Sequence, residues 1–129
     1  MEKPEVRPPR ILIVDDLSFM RTVIKEILND HGFTLAGEAQ NGAEGWKAYT
    51  ILRPDAVLMD ITMPVMNGLE SLKRIRYFDP DACVVMCSAL GEQEYILRAI
   101  RYGARDFIVK PFRPERIVSA LRIALRIDE

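Results

Sequence analysis

Three short runs of this chain are apolar at every position: ILIV at 11–14, AVLM at 56–59 and VVMC at 84–87. A strand with one wet face alternates apolar and polar side chains, so an uninterrupted run must be covered on both sides. Such strands belong in the middle of a parallel sheet with helices on each face. The rest of the chain fits this. Strand-like runs at 10–15, 33–38, 55–60, 82–88 and 105–110 alternate with helical patterns at 17–31, 41–52, 65–77, 91–102 and 113–127. Gly32, Arg53-Pro54 and Gly103 supply helix stops. Five βα units on short loops predict a doubly wound α/β domain with five parallel strands and five helices.

The weaker strands order the sheet. Phe33 and Leu35 alternate with polar or small neighbours, and the strand at 105–110 opens on charge, so these two belong at the edges. With right-handed crossovers the order becomes 2-1-3-4-5, and the reversal beside the first strand opens a crevice at the carboxyl ends of strands one and three. Those ends are polar. Asp15 and Asp16 close the first strand, Asp60 the third, Ser88 the fourth and Lys110 the fifth. A carboxylate such as Asp60, closing a buried run, costs several kcal/mol unless it is paired. Three crowded carboxylates need a cation, and hard oxygen donors at few positions suit Mg²⁺. A divalent cation, the Lys110 ammonium and the Ser88 hydroxyl around one carboxylate meet the needs of phosphoryl transfer, with Asp60 as nucleophile. Singly, each residue has an ordinary explanation as a helix cap or a solvated charge. Jointly, at four strand ends, they do not.

A length of 129 residues, 49% hydrophobic and 29% charged, describes one soluble domain. No apolar run approaches the ~20 residues of a membrane span, and MEKPEVRPPR has no signal-peptide core, so a cytoplasmic protein without membrane insertion is expected. Residues 1–9 read as a flexible arm and 10–127 as the folded domain. Cys83 and Cys87 are too far apart along one strand for a disulfide and read as buried thiols. The net charge is −1, yet between Arg98 and Ile127 seven arginines and one lysine oppose only Asp106 and Glu115. That basic half predicts an acidic partner surface. DNA is not expected, because no base-reading side chains are interleaved with it.

The motifs ILIVDD, VLMDITMPVMNG, CSA and DFIVKPF closely resemble those of the receiver domain of two-component response regulators, over residues 10–127, and most of all the stand-alone chemotaxis regulators. The resemblance implies a flavodoxin-like fold and a phosphoprotein rather than an enzyme, with Asp60 phosphorylated by a histidine kinase. It implies Asp16 as a direct Mg²⁺ ligand, Asp15 acting through water, and Thr62 ligating through its backbone carbonyl. Ser88 and Phe107 take the switch positions, and Lys110, before a cis-proline turn at Pro111, takes the conserved lysine role. The implied output is binding to a flagellar motor switch protein, with a possible phosphatase partner and a monomeric state. Two features depart from the pattern. Position 107 is Phe rather than Tyr, and Leu90 and Glu92 differ in the loop after the fourth strand.

Other motifs are weaker. His31, the lone histidine, sits at a helix end and reads as a C-terminal cap. Trp46 reads as core or half-buried. No GxxxxGK[ST] occurs, which argues against direct ATP hydrolysis. The fourth helix carries Tyr95, Ile96, Leu97, Ala99, Ile100 and Tyr102, too many apolar positions for one buried stripe. With Arg98 and Phe107 nearby, part of it is expected to form a docking face. Two rival functions remain: a receiver of a longer, DNA-binding regulator, and a Mg²⁺-dependent aspartyl-phosphate phosphatase. The latter usually carries a second Asp two residues after its nucleophile, where this chain has Thr62.

Overall fold

In the computed structural model, residues 7–89 and 92–127 are described. The elements are β1 (Arg10–Val14), α1 (Ser18–Asp30), β2 (Thr34–Ala39), α2 (Gly42–Leu52), β3 (Ala56–Asp60), α3 (Gly68–Phe78), β4 (Val84–Ala89), α4 (Gln93–Arg101), β5 (Asp106–Lys110) and α5 (Pro114–Leu125). The strands form one parallel sheet in the order β2-β1-β3-β4-β5, as the sequence predicts.

Strand periodicity splits the core in two. Ile11, Ile13, Ala56, Leu58, Val85, Cys87 and Ile108 pack against α1 and α5. The intervening Leu12, Val14, Val57, Met59, Val84 and Met86 pack against α2, α3 and α4. Both clusters are closed to solvent, which is why the central strands are apolar at every position. Each fully buried Leu or Ile contributes about 1.5–3 kcal/mol. Cys83 and Cys87 are buried free thiols, and burial pushes the Cys87 pKa up to about 12. Trp46 is half-buried, with the Arg74 guanidinium 5.6 Å from its ring centroid.

Several boundaries differ from the sequence reading. The third helix begins at Gly68 rather than 65, because Asn67 caps it by accepting a hydrogen bond from Glu70 N (2.9 Å). Residues 61–67 are therefore a loop, in which Val65 has φ +69°. The second strand runs 34–39, one residue later than expected, with Phe33 buried just before it. Most other ends shift by one or two residues. His31 does cap α1, its Nδ1 lying 2.7 Å from Ile27 O. Residues 1–6 of the expected arm lie outside the described residues, as do Leu90 and Gly91, where the fourth helix was expected to start. No helix among the described residues is long and apolar enough to cross a membrane.

Candidate functional site

The same periodicity aims the charged groups. Asp15 continues the face of Ile11 and Ile13, Asp60 that of Ala56 and Leu58, and Lys110 that of Ile108. All three reach the carboxyl end of the sheet on the α1/α5 side. There Lys110 Nζ stands 3.2 Å from Asp15 Oδ2 and 3.4 Å from Asp60 Oδ2. Asp15 is anchored further, since its Oδ1 accepts from Leu17 N (2.9 Å) at the entry to α1. Arg21 donates to the Asp15 carbonyl (2.7 Å). Asp16 is exposed, yet it can place a carboxylate oxygen so that those of Asp15, Asp16 and Asp60 all lie within 4.8 Å of one another.

Three carboxylates against one ammonium leave a charge of −2 in a mostly buried pocket. Hard oxygen donors at that spacing fit one small divalent cation. The electrostatics carry the same mark. Burial raises the Asp60 pKa to about 6; Lys110 pulls it down, while Asp15 and Asp16 push it up. Burial disfavours the Lys110 ammonium, but Asp60 and Asp15 outweigh it and hold its pKa above the ordinary lysine value. The Lys110–Pro111 bond is cis.

The backbone closes tightly around Asp60. Ile61 N donates to Cys87 O (3.0 Å) and Gly68 N to Ile61 O (2.7 Å). A Cβ at Gly68 would lie 2.0 Å from the Asp60 carbonyl oxygen, so the start of α3 accepts only glycine.

Ser88 takes the other face. It follows Met86 by two residues, is fully buried, and among the described residues its Oγ has no hydrogen-bond partner. Thr62 is exposed in the loop after β3. Its side chain, given no part in the sequence reading, donates through Oγ1 to Glu92 Oε2 (2.8 Å). Glu92 Oε1 also accepts from Ala89 N. Sequence reasoning noted Glu92 only as a departure from a pattern. Its one visible signal was a carboxylate four residues after Ser88, at a helix start.

The family of response regulator receiver domains matches residues 11–122. The chain belongs to that family. Among its curated relatives, CheY of Thermotoga maritima is 53% identical over 112 residues, 87% of this chain and 93% of that protein. CheY of Bacillus subtilis is 50% identical over 116 residues, 90% of this chain and 97% of that protein. Among solved structures, the complex of CheX, CheY, BeF3 and Mg²⁺ from Borrelia burgdorferi contains a chain similar at TM-score 0.87 and 34% identity, covering 91% of this chain and 89% of that one. The receiver is therefore a phosphorylation-activated response regulator. Its fourth helix lies open to solvent: among Gln93–Arg101 only Ala99 is buried, Leu97 and Ile100 are 63% and 54% exposed, and Tyr95 and Arg98 are exposed beside half-buried Ile96. Next to it Phe107, half-buried, lines a groove of ≈ 420 Å³ with Phe112, Arg113 and Arg116.

Proposed function

We propose that Asp60 is the phosphoacceptor, and that this receiver is a chemotaxis regulator whose phosphorylation switches binding to a flagellar motor switch protein. The contact that carries the reading is Lys110 Nζ, 3.4 Å from Asp60 Oδ2 and within the three-carboxylate pocket. An Asp60 carboxylate oxygen attacks phosphorus, the P–N bond to the donor histidine breaks, and the imidazole leaves with the bonding pair. Asp15, Asp16, Asp60 and the Thr62 carbonyl would hold Mg²⁺, which when bound supplies positive charge to the transferring oxygens. Lys110 pairs with one oxygen and fixes the attacking carboxylate in place. The Ser88 hydroxyl is the donor in reserve for another. Each such fixed donor acts on charge that develops in the transition state, where it is worth most.

The chain is a phosphoacceptor that turns over its own aspartyl phosphate, not an enzyme acting on a separate substrate. Thr62 stands where a phosphatase would place its second Asp, and a hydroxyl does not supply that carboxylate's acid–base chemistry. The names of the CheY relatives support the chemotaxis output, and the complex with CheX supports a partner of that kind for this chain. The partner surface is Tyr95, Ile96, Arg98, Ile100 and Phe107. Incubation with a small acyl phosphate tests the chemistry: wild type takes up one phosphoryl group only with Mg²⁺, and Asp60→Asn takes up none. Uptake that survives both chelation and Asp60→Asn would refute the assignment.

A further inference from the structure

The strand register shows where the Ala89 amide points. Cys87 pairs with Asp60, and its carbonyl accepts from Ile61 N (3.0 Å), so the Cys87 peptide groups face β3. Backbone groups two residues apart on a strand face the same way, so Ala89 N–H also points toward β3, over the carboxyl end that carries Asp60. On its other side Ala89 pairs with Lys110, whose ammonium reaches Asp60. The Ala89 amide thus joins Lys110 as a donor at the place where oxygens of a phosphorylated Asp60 would lie. It is already in use. Glu92 Oε1 accepts from it, and Glu92 Oε2 accepts from Thr62 Oγ1 (2.8 Å), two residues beyond Asp60. One carboxylate ties the loop after β3 to the end of β4.

We propose that Glu92 is an internal competitor of the phosphoryl group. A carboxylate oxygen and a phosphoryl oxygen are both anionic acceptors, and one N–H cannot serve both with good geometry. A phosphoryl group on Asp60 also brings negative charge close to the Glu92 carboxylate. Occupancy of the site therefore displaces Glu92, frees Thr62 Oγ1, and unties the entry to α4 from the loop after β3. Glu92 touches no reacting atom. It is a positioning residue that acts through the Ala89 amide and sets how tightly the site holds a phosphoryl-like anion. This inference rests on Asp60 being the phosphoacceptor.

Calorimetric titration of beryllofluoride, a tetrahedral phosphoryl mimic, at saturating Mg²⁺ tests it on wild type, Glu92→Gln and Glu92→Ala. Loss of a competing charge-assisted hydrogen bond should tighten binding by about tenfold in Glu92→Ala. Glu92→Gln, isosteric but neutral, should fall between the two. Titration of Mg²⁺ alone should show unchanged or slightly weaker affinity in both variants, the opposite direction. The Ala89 amide proton should shift upfield in Glu92→Ala and return toward its wild-type position when beryllofluoride binds. Equal or weaker beryllofluoride binding in both variants, or an Ala89 amide indifferent to the substitution, overturns the competition. Failure of wild type to bind beryllofluoride at all overturns the Asp60 assignment itself, and the competition with it.

Discussion

Ser88 and Phe107 lie on the same face of adjacent strands, because Phe107 pairs with Met86 and Ser88 stands two residues further along β4. That face is turned toward α2, α3 and α4, whereas Asp60 projects toward α1 and α5. In the proposed switch the end of β4 shifts so that the Ser88 hydroxyl meets a phosphoryl group on Asp60, and that shift would vacate space beside the Phe107 ring. A bond to the phosphoryl group would satisfy a hydroxyl that has no partner among the described residues, which is the differential interaction such a switch requires.

Ser88→Ala is accordingly expected to keep phosphoryl uptake on Asp60 but to lose most of the phosphorylation-dependent gain in partner affinity, about 1–3 kcal/mol. Binding of an acidic peptide, with and without beryllofluoride, measures this in both proteins. The same substitution removes a buried hydroxyl that has no partner among the described residues, so the unphosphorylated protein should gain about 1 kcal/mol of stability. Identical enhancement of peptide binding in the two proteins would take Ser88 out of the coupling.

The raised pKa of Asp60, about 6, has a definite sign in stability. Above the unfolded carboxylate value and below about 6, native metal-free protein holds a proton that the unfolded chain has released. Its contribution is therefore complete below the unfolded pKa and is lost as pH rises through the folded one, at most about 3 kcal/mol in all and less after solvent screening. Glu38 and Asp79, whose pKa values are lowered by hydrogen bonds from Lys25 and Tyr49 respectively, contribute with the opposite slope. The difference between wild type and Asp60→Asn isolates the Asp60 part. Urea denaturation in a metal chelator should find Asp60→Asn gaining on wild type between about pH 4 and about pH 7. A pH-independent difference would contradict the burial of this carboxylate.

Mg²⁺ should stabilise the protein by filling the carboxylate pocket, by about 2.7 kcal/mol at a hundredfold excess over its Kd. Asp16 is exposed and makes no ion pair among the described residues, so Asp16→Ala should leave metal-free stability unchanged or slightly higher while weakening the Mg²⁺ effect. Melting curves with millimolar Mg²⁺ and with chelator decide it. Equal Mg²⁺ shifts in the two proteins would remove Asp16 from the ligand set.

The loop after β3 supplies a paired test of backbone geometry. Gly68→Ala would force a Cβ to 2.0 Å from the Asp60 carbonyl oxygen and should destabilise by about 2–4 kcal/mol. Val65, a β-branched residue at φ +69° and 84% exposed, holds a strained conformation without compensating burial. Val65→Gly should be neutral or stabilising by up to about 1 kcal/mol, read by chemical denaturation. A loss from Val65→Gly as large as that from Gly68→Ala would show that the loop is held by something other than these two backbone constraints.

The layered fold was legible because its signals are local. A strand apolar at every position must be central, and residues of the same parity must share a face. Those two rules alone bring Asp15, Asp60 and Lys110 together from positions 45 and 50 residues apart along the chain. The start of α3 is hard to place from sequence because apolar Val65 and Met66 after Pro64 mimic a helix entry, although Asn67 followed by Glu70 spells the true cap. What no local rule reaches is the bridge from Glu92 to Thr62 and Ala89. It depends on where the loop after β3 and the entry to α4 meet beside the end of β4, which the register of β3 with β4 helps to set. Sequence patterns decide which face a side chain takes; only the assembled sheet decides which loop it meets.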